Sequence, residues 1–247
     1  MRNLLTIAIV VTLFALWSVR ADDGKKEDQP DQPVSVALKA NGSNFLYLLP
    51  DGYAAKKKWP LVIHLHGNGD RADNTMKSRN GIAATVRQQL KLARVNFIQV
   101  AVNAKSKKGF SHANDEKALL ESIDTMKAKF NVDPKNVFLF GFSGGGFFAA
   151  SEAVTHPETF KGVAVCGAGM PGNLSKDQLE AAKELEVFLL IGDRDPHLPF
   201  GQHMRDLFKK VPFKHFSYHE IKGQGHTVTL ADRQHVWEWL TEVAERK

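Results

Sequence analysis

The run Val137-Phe138-Leu139-Phe140-Gly141-Phe142-Ser143-Gly144-Gly145-Gly146 decides how the rest of the chain is read. Four apolar residues without polar alternation are what a strand covered on both faces requires. They lead straight into Gly-x-Ser-x-Gly, and the stretch 145–155 that follows has a helical composition rich in alanine. A strand, a sharp turn and a helix in immediate succession lift a serine hydroxyl to the top of a sheet. The flanking glycines let neighbouring backbones approach where a Cβ would clash.

Working outward, apolar runs of strand length occupy 34–38, 45–49, 61–65, 97–102, 162–165, 187–191 and 216–221, which with 137–140 makes eight expected strands. Helical periodicity falls at 81–92, 114–130, 145–155, 175–185, 200–210 and 229–245. In the second of these, Leu119, Ile123, Met126 and Phe130 form one apolar stripe on an otherwise charged helix. Ser175 with Gln178 has the spacing of a capping box. Strand runs such as 137–140 and 187–191 are apolar throughout and alternate with helical segments, so the expected class is α/β, a mostly parallel, doubly wound sheet with helices on both faces. The first two strands, joined through Asn41-Gly42-Ser43, are expected to pair antiparallel at one edge. Only 18 residues separate Gly167 from Glu186, room for a loop and one helix but not for a large lid.

A serine hydroxyl alone is too weakly acidic to attack an ester, so a base must stand beside it and an acid must orient the base. For this turn the expected chain order is serine, acid, histidine. Gly192-Asp193-Arg194-Asp195-Pro196-His197 follows an apolar strand, which puts two carboxylates where ligands of open α/β sheets gather. Gly225-His226 falls between the last strand and the last helix, a placement none of the other nine histidines shares. Ser143 and His226 are therefore the candidate nucleophile and base, and Asp193 and Asp195 are both open as the acid. The strand 61–65 runs into His66-Gly67-Asn68-Gly69-Asp70, a turn able to aim backbone N–H groups at developing oxyanion charge. Asn68 and Gly144 are the candidate donors, with Gly69 a substitute for Asn68. His66, Gly69, Phe142, His112 and His197 are candidates to line the cleft. Local spacing shows no metal-ligand cluster, so neither a metal nor an organic cofactor is expected.

These motifs together, His66-Gly67-Asn68-Gly69, Gly141 to Gly146, Asp195-Pro196-His197-Leu198-Pro199 and Gly225-His226, resemble the α/β-hydrolase superfamily. The chain most resembles the polyhydroxybutyrate depolymerase and feruloyl esterase-like group and the dienelactone hydrolase and prolyl oligopeptidase-type catalytic domains. The similarity runs from about Asn44 to the C-terminus and includes Asn131-Val132-Asp133-Pro134-Lys135-Asn136-Val137 ahead of the serine strand. The resemblance implies a serine esterase in which Ser143 is the nucleophile, His226 the base and Asp195 the acid, acting through an acyl-enzyme on a small-molecule or polymeric ester. A peptidase or thioesterase with the same triad, or a noncatalytic binding protein on the same fold, are the alternatives. The loop 103–112 departs from the secreted depolymerases and feruloyl esterases, which carry Cys and Trp there.

Composition agrees with one ordinary domain: 247 residues, 43% hydrophobic and 24% charged. Residues 1–21 combine a basic start, an apolar middle at 4–17 too short to span a bilayer, and small residues at Val19 and Ala21. They read as a signal peptide cut after Ala21, so a secreted or periplasmic protein without stable membrane insertion is expected. Residues 22–33 read as a flexible leader and 34–247 as the catalytic domain. The net charge of +6 is too mild and scattered for a nucleic-acid partner, and the lone Cys166 lies in an apolar strand.

Overall fold

The computed structural model describes residues 33–50, 52–77, 97–211 and 213–246. The expected signal peptide, almost all of the leader and the helix at 81–92 lie outside the described residues. Eight strands form one sheet: β1 (Val34–Ala37), β2 (Asn44–Leu48), β3 (Trp59–Leu65), β4 (Ile98–Val102), β5 (Val132–Phe142), β6 (Gly162–Cys166), β7 (Glu186–Gly192) and β8 (Phe216–Ile221). Their order is β1-β2-β4-β3-β5-β6-β7-β8. The β1–β2 and β2–β4 pairs are antiparallel and all others parallel. The eight expected strands, including the antiparallel edge, are thus present.

Residue parity along the strands builds two cores. Leu61, Ile63, Val137, Leu139, Val163, Val165, Val187 and Leu189 face one side, where α2 (His112–Lys129), α3 (Gly144–Thr155), α4 (Lys176–Ala181) and α5 (Leu198–Lys210) cover them. Val62, Phe138, Phe140, Ala164, Cys166, Phe188 and Leu190 face the other, covered by Val236, Trp237, Trp239, Leu240 and Val243 of α6 (Leu230–Glu245). Fully burying one such side chain contributes about 1.5–3 kcal/mol, so neither face of the sheet is stable uncovered. Cys166 is wholly buried, which pushes its thiol pKa up and leaves it an inert core residue.

Most boundaries shift by one or two residues, and three differences are larger. β5 starts five residues early because Val132 pairs with Trp59 before the register shifts to Leu61 with Val137. The expected helix 175–185 is only α4, opened by the Ser175–Gln178 capping box. It stops because Leu185 N–H turns back to the Ala182 carbonyl and Glu186 enters β7 by donating to the Lys161 carbonyl. The six-residue α1 (Ala72–Lys77) was not expected: its first N–H is capped by Asn103 Oδ1 at 2.8 Å, thirty-one residues away. Between β6 and β7, α4 is the one helix, as the short spacing required.

Candidate active site

Ser143 sits on the turn between β5 and α3 at φ 54°, ψ −123°, the one non-glycine residue at positive φ among the described residues. Such a conformation costs about 1–3 kcal/mol and persists only where the surroundings over-determine it. Here Ser143 N–H donates to the Cys166 carbonyl at 3.0 Å, while its own carbonyl accepts from Gly146 and Phe147 as α3 begins. Two glycines make the turn sterically possible. A Cβ on Gly141 would stand 2.2 Å from the Gly145 carbonyl oxygen, and one on Gly145 would stand 2.2 Å from that of Leu65.

The turn delivers Ser143 Oγ to 2.8 Å from His226 Nε2, and His226 Nδ1 lies 2.8 Å from Asp195 Oδ2. The three side chains predicted from motif order therefore form one hydrogen-bonded chain, contributed by three separate loops at the C-terminal edge of the sheet. The Asp195 carboxylate is completely covered, and its other oxygen accepts the His197 N–H at 2.8 Å. Asp193, the alternative acid, is placed differently: its Oδ1 accepts the Gly223 N–H at 2.7 Å and so braces the loop that carries His226. The same loop is held by Arg194 N–H donating to the Gln224 carbonyl and by Gln224 Nε2 donating to Asp232 in the first turn of α6.

Of the candidate lining residues, Phe142 and His197 meet the site. Phe142 stacks on His226 with ring centroids 4.9 Å apart, and His197 meets the same ring edge-on at 4.7 Å. His197 is steadied by donating Nδ1–H to the Gly167 carbonyl at 3.0 Å. Phe147 and Phe200 complete an aromatic wall with His197: the Phe147 ring lies 5.1 Å from His197 and 5.2 Å from Phe200, and Phe200 is 40% exposed. No local motif marks these two phenylalanines. They come from the first turns of α3 and α5, which only the fold brings together.

His66 does not line the cleft. It is buried, with Nδ1 2.8 Å from the Gly67 carbonyl and Nε2 accepting the Ala104 N–H at 3.2 Å, which fixes the neutral Nδ1–H tautomer. Burial pulls its pKa down, consistent with that neutral form. Gly69 is also corrected as an oxyanion donor, because its N–H is spent on the Lys107 carbonyl at 3.1 Å. Gly144 follows Ser143 in the chain, and the Asn68 side chain lies beside Gly144. Gly144 opens α3, where first-turn N–H groups lack intrahelical acceptors. The Asn68 side chain lies so close that a Cβ on either Gly144 or Gly109 would overlap its Oδ1.

That contact fastens the loop 103–112 to the serine turn. The loop is further tied by Lys105 and Ser111 N–H groups donating to the buried Asp115, and by Phe110 packing on His66 and Phe148. At its end His112 faces away from the triad, with Nδ1 2.8 Å from Glu152 Oε1 on α3. Glu152 lies eight residues beyond Gly144, about 12 Å farther along the helix at 1.5 Å per residue. His112 therefore belongs to a separate cluster with Glu116, Glu152 and His156, although local spacing gave no metal-ligand cluster.

A family profile described as phospholipase/carboxylesterase matches residues 53–243. The chain belongs to that family. Several of its curated relatives carry esterase names. It is 29% identical over 160 residues to a protein of Nocardia uniformis subsp. tsuyamanensis named esterase NocK, covering 63% of this chain and 45% of that one. It is 26% identical over 197 residues to an Aspergillus niger protein named feruloyl esterase C, covering 78% and 70%. This chain thus spans under half of the first relative's length. Among solved structures, the feruloyl esterase module of Clostridium thermocellum complexed with sinapinate matches with a TM-score of 0.70 at 13% identity, over 85% and 86% of the two chains. A ferulic acid esterase of Anaeromyces mucronatus in complex with ferulic acid matches at 0.68 and 16%, over 88% and 93%. At these identities the structural likeness establishes the α/β-hydrolase fold.

Proposed function

We propose that this phospholipase/carboxylesterase family member is an exported serine esterase that cleaves carboxylic esters through Ser143, His226 and Asp195. The observation that carries the reading is the unbroken hydrogen-bonded chain from Ser143 Oγ through His226 to the buried Asp195, with the serine held at positive φ. Ser143 Oγ attacks the ester carbonyl carbon while His226 Nε2 takes its proton. The oxyanion of the tetrahedral intermediate is received by the N–H groups of Asn68 and Gly144. The imidazolium then protonates the departing alcohol, leaving an acyl group on Ser143 that water, activated by His226, hydrolyses. Asp195 keeps the proton of neutral His226 on Nδ1, so that Nε2 faces Ser143 as an acceptor, and stabilises the cation that forms.

The wall of Phe147, His197 and Phe200 beside His226 suits a flat or apolar acyl or alcohol group. Aromatic esters therefore head the panel of substrates, in line with the feruloyl esterase names among the relatives. Export rests on residues 1–21, whose pattern is that of a cleaved signal. A fluorophosphonate probe should label the purified protein at Ser143 and nowhere else, and a panel of short aliphatic and aryl esters should be hydrolysed. Peptide mapping that finds no label on Ser143 in the folded protein, or a Ser143→Ala variant that turns over esters at the parent rate, would overturn the proposal.

A further inference from the structure

The helices α2 and α3 lie side by side on one face of the sheet and meet through four polar side chains apart from the triad. His112 and Glu116 are one turn apart on α2, and Glu152 on α3 is one turn from His156, the residue that caps its C-terminus, so each helix presents an i,i+4 pair to the other. The pairs interlock. His112 Nδ1 is 2.8 Å from Glu152 Oε1 and its Nε2 is 3.4 Å from Glu116 Oε2. His156 Nε2 is 2.8 Å from Glu116 Oε1 and 3.7 Å from Glu152 Oε2. The Glu152 side chain is 0% exposed, and its Oε2 has no hydrogen-bond partner. A carboxyl oxygen buried without a hydrogen-bond partner is costly, and a ligand that satisfies it recovers that cost.

We propose that His112, Glu116, Glu152 and His156 form a binding site for a divalent transition-metal ion of the zinc class that clamps α2 to α3. Ligating atoms of His112, Glu116 and Glu152, one from each residue, all lie within 4.8 Å of one another, and His156 Nε2 lies 2.8 Å from Glu116 and 3.7 Å from Glu152 as the candidate fourth ligand. Two imidazoles and two carboxylates suit zinc, cobalt or nickel, whereas calcium and magnesium favour all-oxygen shells. Ligands about 2.1 Å from a tetrahedral ion stand about 3.4 Å apart. The 2.8 Å contacts would therefore open by about 0.6 Å as the ion displaces the shared protons, and the His112 ring, whose two nitrogens face different carboxylates, would turn to offer one of them. The His112 side chain, 54% exposed, has room for that movement and marks the entry path. Since α3 begins at the Ser143 turn and His112 ends the loop 103–112 that grips Asn68, the clamp would brace two walls of the active site without touching the reacting atoms.

The test uses the full-length protein without an affinity tag, stripped with EDTA and titrated with Zn2+ by calorimetry and with Co2+ by visible absorption. One ion per chain is expected, with the intense bands of four-coordinate cobalt and a rise in Tm of about 5 °C at saturation. A His112→Ala, His156→Ala double variant should keep the metal-free ester turnover of the parent, weaken Zn2+ binding by at least about 100-fold and lose the Tm rise. Should that variant not fold, the near-isosteric Glu152→Gln decides, with the same losses expected. The proposal is overturned if the parent binds no ion at one equivalent. It also fails if the variants bind as tightly as the parent. A third refutation is binding that inhibits turnover and disappears in His197→Ala, which would place the ion on the other cluster of potential ligands, Asp195, His197 and His226.

Discussion

Replacing Asp195 by asparagine changes one atom, and the surroundings dictate what the amide must do. In the parent, Oδ2 faces His226 Nδ1 and Oδ1 accepts the His197 N–H, both at 2.8 Å, with the carboxylate wholly covered. An asparagine has one acceptor and one donor to satisfy these two positions. If its oxygen keeps the His197 N–H, its NH2 points at His226 Nδ1, which must then become the acceptor. The imidazole proton moves to Nε2, opposite Ser143 Oγ, and the base can no longer take the serine proton. The reverse orientation sets the NH2 against the His197 N–H in a buried place, at a cost of about 1–3 kcal/mol. The inactive tautomer therefore dominates, and kcat should fall by about 10⁴-fold, equivalent to about 5.5 kcal/mol of transition-state stabilisation. Asp193→Asn is the control, since an amide oxygen can still accept the Gly223 N–H; its loss should stay within about fivefold. Steady-state hydrolysis of a p-nitrophenyl ester by both variants, with circular dichroism to verify folding, makes the comparison. An Asp195→Asn enzyme within tenfold of the parent, or a larger loss from Asp193→Asn, would refute the reasoning.

Gly145→Ala should lower turnover by at least about 100-fold and reduce Tm, because its Cβ would stand 2.2 Å from the Leu65 carbonyl oxygen and move the serine turn; kinetics with a melting curve checks both. His64 is buried on β3 and its pKa is pushed down to about 3, chiefly by burial, so between about pH 6.5 and 3 the unfolded chain binds the proton that the fold refuses. Stability from this group is whole above pH 6.5 and falls as pH drops, by about 2 kcal/mol at pH 5; urea melts of His64→Phe should lose that part of the pH slope. A rate series across the solubility limit of a short-chain ester should show saturation without a jump at emulsion formation. The loop 103–112 is tied to Asp115, His66 and Gly69, and only α4 separates β6 from β7.

What the sequence determined by itself is whatever a short stretch of chain encodes. Continuous apolar runs gave the central strands such as β6, because a residue buried on both faces of a sheet has no polar option. Gly141 and Gly145 around Ser143 marked the turn, because no larger residue fits there. The order serine, acid, histidine named Ser143, His226 and the pair Asp193 and Asp195, since each follows a recognisable strand. Tertiary structure decided everything that depends on which distant surfaces touch. It chose Asp195 over Asp193, two residues apart and chemically identical, by turning one carboxylate to His226 and the other to Gly223. Contacts across the fold turned His66 inward to Ala104, spent the Gly69 N–H on Lys107, and carried His112 to Glu152, forty residues away. They also started α1 from Asn103 and gathered Phe147 with Phe200. Local sequence can state what a side chain is able to do, but hydrogen-bond partners and neighbours are properties of two surfaces, and the second surface is known only after the chain has folded.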